Sequence, residues 1–304
     1  MPPSAPTGEL LCHLVRPDTV RRVAFCDFDE TYLAHQPTAA QRRSLRELEA
    51  YLVRSAGQGL LFGWVTGSSL VSVTAKARRH ELAVMPHFVA AALGTELVFF
   101  ADGVPVPDPV WQQRIAASGF SADRVDLAVE ALAARGIRLT PQPTSVEKEY
   151  VASYYHQARG TSADRAALVG IRSEARRHGL GVNISRCNPL AGDPEDAYDV
   201  DLLPDCCGKR NVVRHVCQRF GVPTSVAYAF GDSGNDLEML AAVGHGLLVA
   251  NATAEARSRH ERVSPHPYAE AVLHALQQAP RTVTDHTGRR APRKTSQFDD
   301  SSEN

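Results

Sequence analysis

Hydrophobic and polar positions in this chain fall into two patterns that alternate. Short uninterrupted apolar runs at 23–26, 60–65, 88–92, 226–230 and 247–249 read as strands buried on both faces. Stretches with helical spacing follow several of them, at 41–54, 69–81, 211–220, 235–242 and 254–260. Strands alternating with helices predict βαβ units and a parallel sheet. The middle of the chain reads differently. Ser121 and Ser162 are predicted N-caps of helices that run to about Arg135 and His178, with strands around them at 137–139, 150–155, 181–185 and 198–203. The predicted organisation is an N-terminal arm at 1–20 and a parallel-sheet α/β core in two parts, 21–101 and 205–280. A compact α/β unit at 102–204 is inserted between them, and a tail follows at 281–304. The tail holds only Val283 and Phe298 as large apolar groups, too little surface to offset its ordering entropy, so it is predicted to be disordered.

Composition narrows the class. A chain of 304 residues, 43% hydrophobic and 22% charged, suits two domains with sizeable cores. Its 33 basic and 34 acidic side chains leave a formal charge of −1, so no net field attracts nucleic acid or an anionic membrane. No apolar run approaches the roughly 18 residues of a membrane span, and 10–15 is too short and His-interrupted for a signal peptide. Cys12, Cys26, Cys187, Cys206, Cys207 and Cys217 contain no CxxC pair, which points to reduced thiols in the cytoplasm. His80, His87, His156 and His178 have no zinc-site spacing. The expectation is a soluble two-domain enzyme with a small-molecule substrate and no nucleic-acid or membrane partner; the sequence carries no signal of oligomeric state. Only four of the basic side chains are lysine, namely Lys76, Lys148, Lys209 and Lys294, so a lysine beside a site draws notice.

Three of the apolar strands end in polar clusters. These are Asp27-Phe28-Asp29-Glu30-Thr31, Thr66-Gly67-Ser68-Ser69 and Gly231-Asp232-Ser233-Gly234-Asn235-Asp236. Ligands of open parallel sheets bind beyond the carboxyl ends of the strands, so the clusters point to one site. Asp27, Asp29 and Asp232 are hard oxygen donors suited to Mg²⁺. Thr66, Ser68 and the Gly67 amide precede a helix, where hydroxyls, free N–H groups and the helix dipole favour an anion. Lys209 follows Gly208 just before a helix and supplies a fixed positive charge. Acid pair, metal, anion cradle and lysine together describe phosphoryl transfer, with a carboxylate as the covalent nucleophile.

Asp27-x-Asp29-x-Thr31, Thr66, Lys209 and Gly231-Asp232-x-x-Asn235-Asp236 resemble, in order, the four signature blocks of the haloacid dehalogenase superfamily. The resemblance spans nearly all of 21–276, and the insert at 102–204, between the second and third blocks, implies the large α/β cap of its sugar-phosphate phosphatases over a Rossmann-like parallel-sheet core. It implies that Asp27 is the nucleophile, that Asp29 is the general acid and base, and that Thr66, Gly67, Ser68 and Lys209 hold the phosphate. It also implies Mg²⁺ on the Asp27 and Asp232 side chains and the Asp29 carbonyl, with Asp236 either beside the metal or a helix N-terminal charge. Many capped members carry Gly where this chain has Glu30, and a side chain there is expected to touch substrate or cap. Asp29 argues against a dehalogenase, which has no alkoxide to protonate. A phosphomutase, a non-catalytic sugar-phosphate sensor and a receiver-like phosphoacceptor rank behind a phosphatase.

The cap segment 183–196 is rich in groups that suit a sugar: Asn183, Arg186 and Asn188, then Asp193, Glu195 and Asp196 on a Pro/Gly-punctuated loop. Amides and carboxylates bind hydroxyls, and acids suit a protonated amine. Arg186 is expected to meet the phosphate from the cap side. Longer stretches at 25–32, 63–69, 93–96 and 183–201 resemble bacterial phosphatases of an amino-hexose 6-phosphate from antibiotic biosynthesis, with sucrose-phosphate phosphatases as more distant relatives. The substrate they imply is an amino-hexose 6-phosphate, the alternative a neutral hexose 6-phosphate or sucrose 6-phosphate. Glu96 is left between a sugar contact and a structural hydrogen bond.

Overall fold

The computed structural model describes residues 12–143, 148–187, 189 and 192–278. The core begins with β1 (Cys12–His13), β2 (Arg22–Cys26), α1 (Ala39–Ala56), β3 (Leu60–Val65), α2 (Leu70–Arg79), β4 (Val84–Met85) and β5 (Phe88–Ala91). A hairpin of β6 (Glu96–Ala101) and β7 (Val104–Pro107) follows, then α3 (Pro109–Ala117). The cap comprises α4 (Ala122–Ala134), β8 (Thr140–Pro141), β9 (Ala152–Gln157), α5 (Thr161–Arg177), β10 (Leu180–Arg186) and β11 (Ala197–Pro204). The chain returns to the core through α6 (Lys209–Arg219), β12 (Tyr228–Gly231), α7 (Leu237–Leu240), β13 (His245–Leu248), α8 (Ala254–Arg257) and α9 (Tyr268–Gln277).

Seven strands form the core sheet in the order β13-β12-β2-β3-β5-β6-β7. The first five are parallel, and the hairpin adds two antiparallel strands. Every residue of β2 and β3 is buried, as their unbroken apolar runs require. Ala24, Cys26, Phe62 and Trp64 pack on one side with Leu48 and Leu52 of α1 and Val272 and Leu276 of α9. Val23, Phe25, Leu61 and Val65 pack on the other with Val212 and Val216 of α6 and Trp111 of α3. Each large side chain so buried contributes about 1.5–3 kcal/mol. The chain moves outward from β2 through β3 to β5, then returns to add β12 and β13 on the opposite side. The strand order therefore reverses between β2 and β12, which opens a crevice beyond their carboxyl ends.

The cap sheet is antiparallel, in the order β10-β11-β9-β8. Its residues alternate: Tyr154, Val182, Ile184, Val200 and Leu202 pack against α4 and α5. The opposite face carries Asn183, Asp201 and Ser153 in one cross-strand row, and Ser185, Asp199 and Tyr155 in the next. A period of two thus turns one face of the cap to its own helices and a polar face to the core.

Several expectations need correction. The core does not stop at residue 101, because β7 completes its sheet and Trp111 and Ile115 lie in its second cluster. Asp108 fixes this connection: it accepts from the Trp111 amide at 2.9 Å and pairs with Arg219 of α6 at 2.9 Å. Residues 137–139 are not a strand. Gly136, at φ 75, turns the chain out of α4, the Ile137 amide donates to Leu132 O, and pairing starts at Thr140. Helix α5 begins after Gly160, at φ 112, without a side-chain cap, so Ser162 lies inside it. The helix expected over 235–242 is a 3₁₀ turn, Gly234–Asp236, followed by the short α7. The predicted tail at 281–304 lies outside the described residues.

Candidate active site

Asp27 follows β2 directly, and its amide donates to Phe230 O of β12 at 2.9 Å, joining the two strands that flank the crevice. Lys209 opens α6 after Gly208, whose amide is held by Leu93 O. The lysine is 4% exposed, with Nζ 2.6 Å from both Asp27 Oδ1 and Asp236 Oδ1. Asp236 Oδ2 accepts from the Asp232 and Ser233 amides at 3.0 and 3.1 Å. Thr31 Oγ1 donates to Asp232 Oδ1 at 3.1 Å. Thr66 is buried beside them, and its hydroxyl accepts from the Ser68 amide. The four signature blocks, up to 209 residues apart in the chain, meet here.

Burial pushes the Asp27 carboxyl well above the usual range, against the pull of Lys209. Burial, then the charge on Asp236, raises Asp232 to about 7. For Lys209 burial alone would lower the ammonium, yet Asp236 and Asp27 overcome it and hold it charged. Carboxylate oxygens of Asp27, Asp232 and Asp236 lie within 4.8 Å of one another. Two of these three buried acids, Asp27 and Asp236, pair with the one lysine, and the remaining negative charge suits a hard divalent cation such as Mg²⁺. Asp236 has Lys209 on one oxygen and two amides on the other, so the oxygens facing outward to a cation come from Asp27 and Asp232. A second group among the described residues, His266, Glu270 and His274, is only partly buried; Glu270 Oε1 lies 2.9 Å from His266 Nδ1, and the two imidazoles stack at 3.9 Å and 20°.

Asp29 lies beside this centre, with its carboxylate held by two donors. Ser68 Oγ donates to Oδ2 at 3.1 Å, and Lys76 Nζ of α2 lies 2.6 Å from Oδ1. Sequence reasoning did not place Lys76 in the site; the scarcity of lysine was the available signal. Glu30, at φ 60, gives its carboxylate to the His35 amide and the Tyr268 hydroxyl, at 2.7 and 3.2 Å, while the residue also lines the cleft between core and cap. Glu96 is structural: its Oε2 accepts from the Leu70 amide at the start of α2.

A cleft of about 660 Å³ joins this centre to the polar face of the cap. Asp27, Asp29, Thr66, Gly67, Ser68 and Asp232 line its core side, and Asn183, Arg186, Asp193, Asp199 and Asp201 line its cap side. Asn183 Nδ2 donates to Asp201 Oδ2 at 3.1 Å, and Tyr155 OH donates to Asp193 Oδ1 at 3.0 Å. The Arg186 guanidinium stacks 4.8 Å from the Tyr198 ring centre. Burial, then Asp193 and Asp201, raise Asp199 to about 6. Glu195 and Asp196 do not join the cleft. They sit exposed on the turn, where the Asp196 carbonyl closes the loop onto the Ala158 amide. Asn188 lies outside the described residues. Asp199 and Asp201 were missed because the loop, and not the strand after it, carried the obvious acids. Their spacing of two on β11 is the signal that places both on one face.

A buried aspartate paired with a lysine, a neighbouring carboxylate and a metal-suited acid group at a sheet switch point suit phosphoryl transfer under an α/β cap. The family model of sucrose-6F-phosphate phosphohydrolases matches residues 20–279. The chain therefore belongs to that family, within the haloacid dehalogenase superfamily, and is a phosphoric monoester hydrolase. It is 40% identical over 257 residues to the kanosamine-6-phosphate phosphatase of Bacillus subtilis, covering 84% of this chain and 91% of that one. A crystal structure of a haloacid dehalogenase-like hydrolase from Bacillus subtilis superposes with a TM-score of 0.70 at 37% identity, covering 88% of this chain and 95% of that one. The sucrose-phosphatase of Synechocystis, solved with sucrose and phosphate, shares the fold at a TM-score of 0.66 and 20% identity, covering 85% and 98%.

Proposed function

We propose that this protein is a Mg²⁺-dependent phosphatase of kanosamine 6-phosphate that works through an aspartyl phosphate. One observation carries the amino-sugar part: three carboxylates, Asp193, Asp199 and Asp201, line the cap wall of a cleft whose floor is Asp27. Crowding and burial already lift Asp199, and an ammonium group beside it removes that repulsion. The 40% identity to a phosphatase of this substrate supports the same reading.

In the proposed reaction an Asp27 oxygen attacks phosphorus, the bond from phosphorus to the sugar oxygen breaks, and that oxygen takes a proton from Asp29. Water then attacks the same phosphorus while Asp29 recovers the proton from it, the bond to Asp27 breaks, and inorganic phosphate leaves. Lys209 holds Asp27 in line and offsets charge on the transferring group, while Thr66, Ser68 and the Gly67 amide surround its outer oxygens. Mg²⁺, when bound by Asp27, Asp232 and the Asp29 carbonyl, supplies neutralising charge for the phosphoryl oxygens. Arg186 closes the cleft from the cap side. The six cysteines are all unpaired, in keeping with a reducing cytoplasm. A sucrose 6-phosphate or neutral hexose 6-phosphate substrate is the second reading, favoured by the family model.

The test is phosphate release with Mg²⁺ from kanosamine, glucosamine, glucose and sucrose 6-phosphates, with Asp27→Asn as the blank. A charged hydrogen bond is worth about 1.5–3 kcal/mol. Asp199→Asn is therefore expected to cut the preference for kanosamine 6-phosphate over glucose 6-phosphate by about ten- to a hundredfold. Equal turnover of all four sugars removes the amino-sugar reading, and release that persists in Asp27→Asn removes the mechanism.

A further inference from the structure

Lys209 has a place in the mechanism above, but Lys76 does not. It projects from α2, a helix fixed at its start by the Ser69 hydroxyl and the Glu96 carboxylate and along its length by buried Val73 and Ala77. Its Nζ lies 2.6 Å from Asp29 Oδ1 and 3.5 Å from Ser68 Oγ, while Ser68 Oγ donates to Asp29 Oδ2. Lys76 is absent from the residues that line the cleft, so any influence on the reaction passes through Asp29 and Ser68, which do line it. The pair is 31% and 26% exposed, and an ion pair so open to water adds at most about 1 kcal/mol to stability. Stability alone is a weak reason for this arrangement.

We propose that Lys76 is a positioning residue for Asp29: its ammonium pins Oδ1 and so fixes the place of Oδ2, which accepts from Ser68 and is the oxygen that exchanges protons with the leaving group and with water. The inference rests on the reading of Asp29 as the acid–base group. The last torsion of an aspartate is broad, so a free carboxylate turns easily, whereas a proton donor has to stay within hydrogen-bond reach of the oxygen it serves. A second donor on a rigid helix removes that freedom. The small, three-donor ammonium also spans two acceptors, Asp29 and Ser68, that a planar guanidinium fork fits poorly. In a chain so rich in arginine, lysine at this position has a geometric reason.

The leaving group separates positioning from packing. A sugar alkoxide needs a proton as it departs, whereas p-nitrophenolate does not. The ratio kcat/KM reads the steps up to that departure. Lys76→Met, Lys76→Arg, Asp29→Asn and the double variant Asp29→Asn/Lys76→Met are compared on the best sugar 6-phosphate and on p-nitrophenyl phosphate. Lys76→Met is expected to lose about ten- to a hundredfold on the sugar phosphate and less than about threefold on the aryl phosphate. Lys76→Arg recovers part of the loss, and the double variant is no worse than Asp29→Asn alone. Equal losses on both esters mean a structural role and overturn the proposal, as does an unchanged Lys76→Met. A change confined to KM for the sugar phosphate means a substrate contact and also overturns it. If Asp29→Asn itself fails to discriminate between the esters, the acid–base reading falls and this inference with it. If only Lys76→Met fails to discriminate, this inference falls alone.

Discussion

The absence of a Cβ at Gly231 decides whether the cluster of Asp27, Lys209 and Asp236 can assemble. A methyl group there would overlap Asp236 Cβ and Cγ, the stem of the carboxylate that receives Lys209 and two backbone amides. Moving Asp236 moves Lys209, and Lys209 holds Asp27. Misplacement by about 1 Å at a reacting group costs on the order of a hundredfold. Gly231→Ala is therefore expected to lower kcat/KM at least about a hundredfold and to raise the Mg²⁺ concentration for half-maximal activity; a metal titration of steady-state rates measures both. Glu30 shows the opposite case, a side chain at φ 60 where glycine would be relaxed. Hydrogen bonds from the His35 amide, the Tyr268 hydroxyl and the Asn251 side chain to Glu30 offset that strain. None of these partners is adjacent in sequence, so the residue reads as a departure in the chain and as an anchor in the fold.

Among the elements, the central strands were legible because burial on both faces demands unbroken apolar runs. The elements that were missed or shifted owe their form to neighbours distant in sequence: α3 packs on the core through Trp111, and the β6–β7 hairpin, starting at Glu96, extends a sheet that began at Arg22. His87, just before β5, shows how tertiary contacts tune one strand. The Phe62 amide donates to its Nδ1 at 3.0 Å, which puts the proton on Nε2, facing Val15 O at 3.2 Å. Burial lowers the imidazole to about 4, despite the two carbonyls nearby. A folded value below the unfolded one means full stabilisation above about pH 6.5, lost as pH falls through about 4. The loss amounts to about 3 kcal/mol. Denaturant unfolding of the wild type is expected to weaken more steeply between those two pH values than that of His87→Gln, which has no ring to protonate.

At the scale of the molecule, a core that gathers three buried carboxylates around one lysine is held together against its own charge. A divalent cation that binds only the folded form stabilises it by about 2.7 kcal/mol at a hundred times its dissociation constant. Added Mg²⁺ is expected to raise the melting temperature by several degrees in the wild type and far less in Asp232→Asn, as calorimetry would record. The cap completes the site with a polar sheet face that means nothing until it stands over Asp27. On the described residues no helix is long and apolar enough to cross a membrane.

The sequence by itself determined the parallel core, the inserted cap and the chemistry at the strand ends, because burial pattern and residue type are local properties. Asp27, Thr66, Lys209 and Asp232 could be picked out by type and by their order along the chain. Only the tertiary structure decided which oxygen meets which donor. It set Lys76 on Asp29, withdrew Glu195 and Asp196 from the cleft in favour of Asp199 and Asp201, and tied Glu30 to His35 and Tyr268. Those outcomes depend on where helices and strands far apart in sequence come to rest, and a hydrogen bond exists only within about 3 Å of its partner.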